Sequence, residues 1–314
     1  MDAQKHFSSP FAYPADVPQF SISPEHGNGR WLRSSVTFSS PLTTPYPGMN
    51  TASGEYYQPK TDVDAPLVIL LHGWGDHSAI PCRWLARGLA GKGFGAFLLR
   101  LPTHTSRFPP ELRERAHDLT MEEWLTMYRV GVSDLRRVTD WASAAGRGGR
   151  PVAVIGLSLG GFMASIAMGI DERITAGVLL VTGGNSEKIM QMGRLARFRH
   201  LRQRDSEYRQ GQKEYRQFRQ EVMARGLDAV VPPKLSYLID PLTYAHLLRN
   251  RPLLMVNARW DEFVPREAAL DLWQECGRCA ISWFASNHTG IWLYYPLILG
   301  GILRFLRQAT RTGG

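Results

Sequence analysis

Lysine is scarce: only six of the 37 basic residues in this 314-residue chain are lysine, and cysteine occurs three times. The formal charge of +9 admits nucleic acid, an anionic membrane or acidic ligands as partners. The arginines are nonetheless spread along the chain apart from one cluster. No zinc-finger spacing, aromatic-plus-basic RNA signature or helix-turn-helix pattern accompanies them, which argues against nucleic-acid binding. Cys82, Cys276 and Cys279 are too few for a disulfide scaffold. Cys276-Gly277-Arg278-Cys279 has C-x-x-C spacing, but it follows an expected helix and precedes an expected strand. A thioredoxin-like pair opens a helix after a strand, so Gly277 reads as a helix C-cap instead. The opening residues MDAQKHFSSPFAYPADVPQF lack the basic start and apolar run of a signal peptide, and the expected location is the cytoplasm. One apolar stretch, IWLYYPLILGGILRFL (291–306), falls short of the roughly 20 residues of a membrane span. Pro296 and Gly300-Gly301 interrupt it, and it reads as a core-facing helix. No internal repeat stands out.

What is present is alternation. With 44% hydrophobic residues the chain has the composition of an ordinary globule large enough to bury a sizeable core. APLVILLHG (65–73) and GAFLLRLP (95–102) read as buried strands around a helix over 79–92. An amphipathic helix spans 120–145, with Trp124, Tyr128, Val132, Leu135 and Val138 at three- and four-residue steps. Strand VAVIGLS (152–158), its helix and strand AGVLLVTG (176–183) continue the series. After an interruption come PLLMVNA (252–258), a helix from about 265, AISWFAS (280–286) and a last helix from about 290. This order predicts an α/β fold, a mostly parallel sheet covered by helices on both faces. Residues 1–64 form an N-terminal part: an extended arm to about residue 35, then SSVTFSS (34–40) and EYYQP (55–59) as short edge strands. The core divides into 65–184 and 249–314. Between them, residues 185–248 are charged and helical and predict a cap over the strand ends. One piece carries Ile189, Met192, Leu195 and Phe198; another carries Tyr215, Phe218 and Val222. The basic cluster RLARFRHLRQRDSEYRQGQKEYRQFRQ (194–220) reads as a solvated helix face or as a contact for anionic lipid or polymer.

In VAVIGLSLGGFMAS (152–165) a buried strand runs through Gly156-Leu157-Ser158-Leu159-Gly160 into a helix. Glycine on either side of Ser158 removes the Cβ atoms that would block a sharp turn, and the serine Oγ is pushed out of the sheet. A serine nucleophile needs a base, and the base needs a partner that sets its tautomer. Among nine histidines, His288 in ASNHTG follows the last strand, where a strand-end loop reaches Ser158. His72 is expected to support the loop after the first core strand. His77, His104 and His117 are in or near loops with weaker strand-end logic; His6, His26, His200 and His246 read as surface residues. For the acid, Asp261 in VNARWDEFVP follows a strand at the same sheet edge, and Asp240 in IDP is the competitor. The chain order Ser, Asp, His favours Asp261.

With LHGWG, GLSLGG, WDEFVP and SNHTG in order at successive strand ends, the chain resembles the α/β-hydrolase family from about residue 65 onward. The interruption lies where that family commonly carries a lid. The resemblance implies Ser158 as nucleophile, Asp261 as acid, His288 as base, and an oxyanion hole from the backbone N–H groups of Leu159 and Trp74. Donors aimed in advance at the developing negative oxygen need no reorganisation when charge appears. There are departures from the family pattern. An Asp-x-Arg-Gly-His-Gly-like loop is replaced by RLPTHTSRFPP, so His104 and Arg107 line an unusual loop expected near the pocket mouth. Arg107 reads there either as a surface arginine or as a carboxylate-binding group. The HGGG motif of one esterase branch is absent. The expected activity is hydrolysis of a small-molecule carboxylic ester through an acyl-enzyme, without metal or organic cofactor. Trp74, Phe162, Met190, Trp260 and Phe263 are candidates to line the pocket. Alternatives on the same machinery are an aminopeptidase, a thioesterase or a lipase; a non-catalytic binding protein is the rival from another class. A haloalkane dehalogenase is disfavoured, since it would need a carboxylate at the nucleophile position.

Overall fold

The computed structural model describes residues 10–14, 19–62, 65–76, 78–144, 150–194 and 203–311. Three antiparallel strands, β1 (Phe20–Gly27), β2 (Trp31–Ser39) and β3 (Thr51–Pro59), form one side of the sheet. The alternation starts with β4 (Leu67–Leu71), α1 (Ile80–Ala90) and β5 (Gly95–Arg100). It continues through the short α2 (Pro110–Arg113), the long α3 (Met121–Ala144), β6 (Val152–Leu157), α4 (Leu159–Ile170) and β7 (Ile174–Leu180). Next come α5 (Ser186–Met192), α6 (Asp205–Arg225) and α7 (Pro241–Tyr244), then β8 (Leu253–Ala258), α8 (Arg266–Glu275), β9 (Ala280–Phe284) and α9 (Tyr295–Arg311). The nine strands lie in the order β1-β2-β3-β5-β4-β6-β7-β8-β9. From β5 to β9 every pairing is parallel. Parallel strands place all their C-terminal ends at one edge, so the loops after β4, β6, β8 and β9 emerge together.

Side chains that alternate along the strands build a core on each face. Leu67, Ile69, Leu71, Val152 and Val154 belong to the cluster that includes Tyr128, Val132 and Leu135 of α3 and Met163 and Ile166 of α4. Val68, Leu70, Ala153, Ile155 and Leu157 point the other way, into the cluster with Leu85 and Leu89 of α1 and Ile298, Ile302 and Leu306 of α9. Burial on both faces is why these strands read as continuous apolar runs.

The N-terminal part departs from the sequence reading. Residues 20–27, expected within an arm, form β1, whose side chains are almost all exposed. With no buried face there is no alternation to see; the strand is held by its ladder to β2 and by Phe20, stacked on Phe38 and Trp141. Residues 10–14 do lie on the body: Arg136 on α3 donates to the Phe11 carbonyl, and the Tyr13 hydroxyl to Asp140. The last helix starts at Tyr295 rather than about 290, after a 3-10 turn over Gly290–Tyr294.

Ile155→Ala is expected to cost about 2–5 kcal/mol, because the fully buried side chain leaves a cavity between β6 and its helices. Leu297→Ala, on an α9 residue that is 65% exposed, is expected to change stability by no more than about 0.5 kcal/mol. Urea midpoints at constant slope measure both; equal losses would contradict the layered core.

Candidate active site

Ser158 stands alone between β6 and α4 at φ 50, ψ −115, a region that costs a non-glycine residue on the order of 1–3 kcal/mol and persists only where the surroundings over-determine it. They do so here. The Ser158 N–H donates to the Leu180 carbonyl (2.9 Å), and the Ser158 carbonyl accepts from the N–H groups of Gly161 (2.8 Å) and Phe162 (3.2 Å). Thr182 Oγ1 donates to the same carbonyl (3.0 Å). The flanking glycines are required by close approach. A Cβ at Gly156 would lie 2.3 Å from the Gly160 carbonyl oxygen, and one at Gly160 would lie 2.4 Å from that of Leu71 and 2.6 Å from that of His72. A Cβ at Gly73 would sit 3.4 Å from the Ser158 Cβ, so the loop after β4 lies against the serine. Trp74 follows in that loop, its ring 4.9 Å from Trp124 and 5.6 Å from Phe108.

Asp261 and His288 face each other. His288 Nδ1 is 2.7 Å from Asp261 Oδ2 and 2.9 Å from Oδ1. The carboxylate also accepts the N–H groups of Phe263 (2.9 Å) and Val264 (2.8 Å). With the Asp261 side chain only 4% exposed, these donors set the orientation of the carboxylate. Beyond the ends of β8 and β9 the two loops stay joined, since Arg259 N–H donates to the Phe284 carbonyl (2.9 Å) and Trp260 N–H to that of Ser286 (3.0 Å). Glu262 adds a third tie by accepting the His288 N–H (3.1 Å). Neither Glu262 nor Thr182 was singled out from sequence; Glu262 stands beside Asp261 in WDEFVP, but a backbone contact 26 residues away leaves no local signal.

The candidate pocket residues are dispersed around these turns. The Phe263 ring is 5.2 Å from that of His288. Phe162 packs on Ile189, Val264 and Ala268. Met190, next to Ile189 on α5, is half-buried, whereas Trp74 and Trp260 are 38% and 66% exposed. Asp240 is held elsewhere: its carboxylate accepts from the N–H groups of Asn185 (2.9 Å), Ser186 and Leu242 (2.9 Å), pinning the starts of α5 and α7. His72 Nε2 accepts the Leu101 N–H (3.0 Å), which leaves the proton on Nδ1 to donate to the Gly73 carbonyl (2.8 Å). It is a fully buried support of the serine-side loop. His104 is also buried, with Nδ1 accepting the Ser106 N–H (3.2 Å).

Arg107 is neither a surface arginine nor a carboxylate binder at a pocket mouth. It is 3% exposed, lies 2.8 Å from the buried Asp134 carboxylate and donates to the Arg100 and Met49 carbonyls (2.7 Å each). Its guanidinium knits its own loop to β5, α3 and the turn before β3. Of the segment between β7 and β8, Tyr215, Phe218 and Val222 on α6 bury in the core cluster with Tyr237, Leu242 and Tyr244. His77, Leu195, Arg197, Phe198, Arg199 and Arg202 lie outside the described residues. Among the described residues no group of three or more His, Cys, Asp or Glu is placed to hold a metal, and no helix is long and apolar enough to cross a membrane.

A mostly parallel sheet between two helical layers, with a glycine-flanked turn from strand into helix, is the architecture of the α/β hydrolases. The chain belongs to the alpha/beta hydrolase family, whose profile it matches over residues 68–296. The fold is similar to that of an acetyl xylan esterase from Paenibacillus sp. R4, with TM-score 0.65 and 16% identity over 97% of this chain and 92% of that one. It is also similar to a PEG-bound cold-adapted esterase from an Arctic intertidal metagenomic library, with TM-score 0.60 and 18% identity over 93% of this chain and 99% of that one. In sequence it is 25% identical over 184 residues, 58% of this chain, to uncharacterized proteins from two strains of Mycobacterium tuberculosis. The match spans 38% of the length of those relatives.

Gly160→Ala is expected to destabilise the protein, because its methyl would meet backbone oxygen that cannot yield without displacing the turn. Gly300→Ala, inside α9 with nothing within 4 Å of the new Cβ, is expected to be neutral or to gain up to about 1 kcal/mol. Thermal midpoints of opposite sign are the predicted outcome; two neutral substitutions would contradict the close approach.

Proposed function

We propose that the protein is a serine hydrolase that cleaves carboxylic esters through an acyl-enzyme. The observation that carries this reading is the 2.7 Å pairing of His288 Nδ1 with Asp261, on loops at the sheet edge where Ser158 is held at φ 50. With Nδ1–H donated to a carboxylate, His288 Nε2 is left unprotonated as the base for the Ser158 hydroxyl. Ser158 Oγ attacks the ester carbonyl carbon as its proton passes to His288. The backbone N–H groups of Leu159 and Trp74 receive the developing oxyanion. His288 then gives the proton to the leaving alcohol, and the acyl group remains on Ser158. Water, deprotonated by the same His288, attacks the acyl-enzyme and releases the acid. The scheme uses no metal or organic cofactor. The choice of an ester is supported by the esterases among the structures that share the fold.

In the same reading Trp74, Phe162, Met190, Trp260 and Phe263 line the acyl and alcohol sites, and residues 185–248 act as the lid. Ile189 packs on Val264 and Ala268, which sets α5 beside the loop that carries Asp261. Met190 and the exposed Met192 are then the lid residues that a long acyl chain meets.

Ser158→Ala is expected to lower kcat/KM for a short p-nitrophenyl ester by at least about a hundredfold with the fold intact. Asp261→Asn is expected to cost on the order of 10²–10⁴ in kcat. Asp240→Asn weakens the caps of α5 and α7, so it lowers stability more than turnover. A folded Ser158→Ala protein with near-native turnover would overturn the assignment. A panel of p-nitrophenyl esters of increasing chain length, beside amino-acid anilides and an acyl-CoA, sets the substrate class. On that panel Met190→Ala is expected to shift chain-length preference while leaving the shortest ester nearly unchanged; an unshifted preference would contradict the lid.

A further inference from the structure

Cys276 and Cys279 bracket the turn that joins α8 to β9. The helix stops in a Schellman arrangement: the Arg278 N–H reaches back to the Trp273 carbonyl (2.8 Å) and the Gly277 N–H to that of Gln274 (3.3 Å). Gly277 (φ 88) and Arg278 (φ 60) both adopt the left-handed conformation, which is unfavourable for the arginine because its Cβ crowds the following carbonyl. The Trp273 indole N–H donates to the Cys279 carbonyl (2.7 Å) and closes the turn. Two successive left-handed residues fold the chain back so that the two sulfurs stand 3.7 Å apart. The Cys276 thiol also faces the Trp273 carbonyl (3.4 Å).

We propose that Cys276 and Cys279 form a reversible dithiol–disulfide centre that exchanges with low-molecular-weight disulfides. A disulfide needs its sulfurs about 2.05 Å apart, and the remaining approach is shared between two side chains on an already closed turn. Cys279, half-buried where Cys276 is buried, is the entry point. Its thiolate attacks one sulfur of the small disulfide, forming a mixed disulfide and expelling one small thiolate. The Cys276 thiolate then attacks the Cys279 sulfur, forming the Cys276–Cys279 bond and expelling the second small thiolate. The two protein thiols are oxidised, the small disulfide is reduced to two thiols, and the protons lost by the cysteines end on those products.

The local electrostatics favour the second step. The hydrogen bond from Cys279, opposed by burial and helped by the charge of Arg249, holds Cys276 below the ordinary thiol range, while the same pairing and burial push Cys279 above it. Exposure rather than acidity therefore makes Cys279 the entry point. Arg249 is fixed over the turn by its hydrogen bond to the Glu275 carbonyl (3.0 Å). Cys82, fully buried and pushed well above that range by desolvation, is an internal control. The pair sits at the C-terminal end of a helix, so it lacks the helix N-terminus that activates thioredoxin-like catalysts; it responds to the thiol pool rather than oxidising other proteins. Its place is also specific, because α8 runs from the loop that carries Asp261 and β9 leads to the loop that carries His288.

The test uses the full chain equilibrated with mixtures of reduced and oxidised glutathione, then acid-quenched, alkylated with iodoacetamide and mapped by peptide mass. The expected result is joint loss of alkylation at 276 and 279, a peptide lighter by two hydrogens, full reversal by dithiothreitol, and Cys82 alkylated only after unfolding. Cys276→Ser is expected to stop at a glutathione adduct on Cys279, and Cys276→Ala gives the same readout should the serine variant unfold. A stable adduct on Cys279 in the wild-type chain with Cys276 still free, or alkylation of both thiols in the most oxidising mixture, would overturn the proposal.

Discussion

The first turn of α4 rests on the end of β4 without a side chain between them. Gly160 approaches the Leu71 and His72 carbonyls so closely that even a methyl would stand 2.4 Å from oxygen. Much of the site geometry depends on this contact. It lets the chain reverse from strand into helix within one residue, and that residue, Ser158, takes up the strain. It also draws the loop after β4 against the serine, so Gly73 lies beside the Ser158 side chain. His72, buried and fully engaged with the backbone on both sides of its ring, is the wedge that keeps this loop in place. The folding free energy of the two cores is thus converted into a fixed orientation of a few backbone groups.

A second constraint ties the acid and base to each other. The hydrogen bonds from Arg259 and Trp260 to the chain after β9 continue the β8–β9 ladder past the sheet, and the Glu262 side chain holds the His288 backbone. Asp261 and His288 are therefore held in one hydrogen-bonded unit, and two further N–H donors fix the carboxylate. Asp240 plays the parallel part for the segment between β7 and β8, anchoring the starts of α5 and α7 by backbone N–H groups rather than facing the histidine.

Strands buried on both faces, such as β4 and β6, are legible in sequence because their residues must be apolar; β4 to β9, including the partly buried edge strand β9, are all within a few residues of the expected positions. The glycine pattern around Ser158 is legible for a related reason, since close backbone approach excludes every other residue type. β1 is not, because an exposed edge strand imposes no alternation. Arg107 misled because a charged residue in a polar loop carries no mark of burial; only the fold reveals that the buried Asp134 of α3 turns its carboxylate toward it. Glu262 and Thr182 act through single contacts to distant backbone, which leave no periodicity. Cys276 and Cys279 show their spacing in sequence, but the sulfur–sulfur approach depends on Arg278 adopting a left-handed conformation that its residue type disfavours.

In the proposed mechanism Ser158 is a nucleophile activated by His288. The most direct measurement is the rate and location of phosphonylation by a fluorophosphonate, followed by intact mass and peptide mapping in the wild type and in His288→Ala. The expected result is a single adduct, on Ser158, whose formation slows by orders of magnitude when the imidazole is removed. An adduct on another residue, or phosphonylation of Ser158 at an undiminished rate without His288, would contradict it.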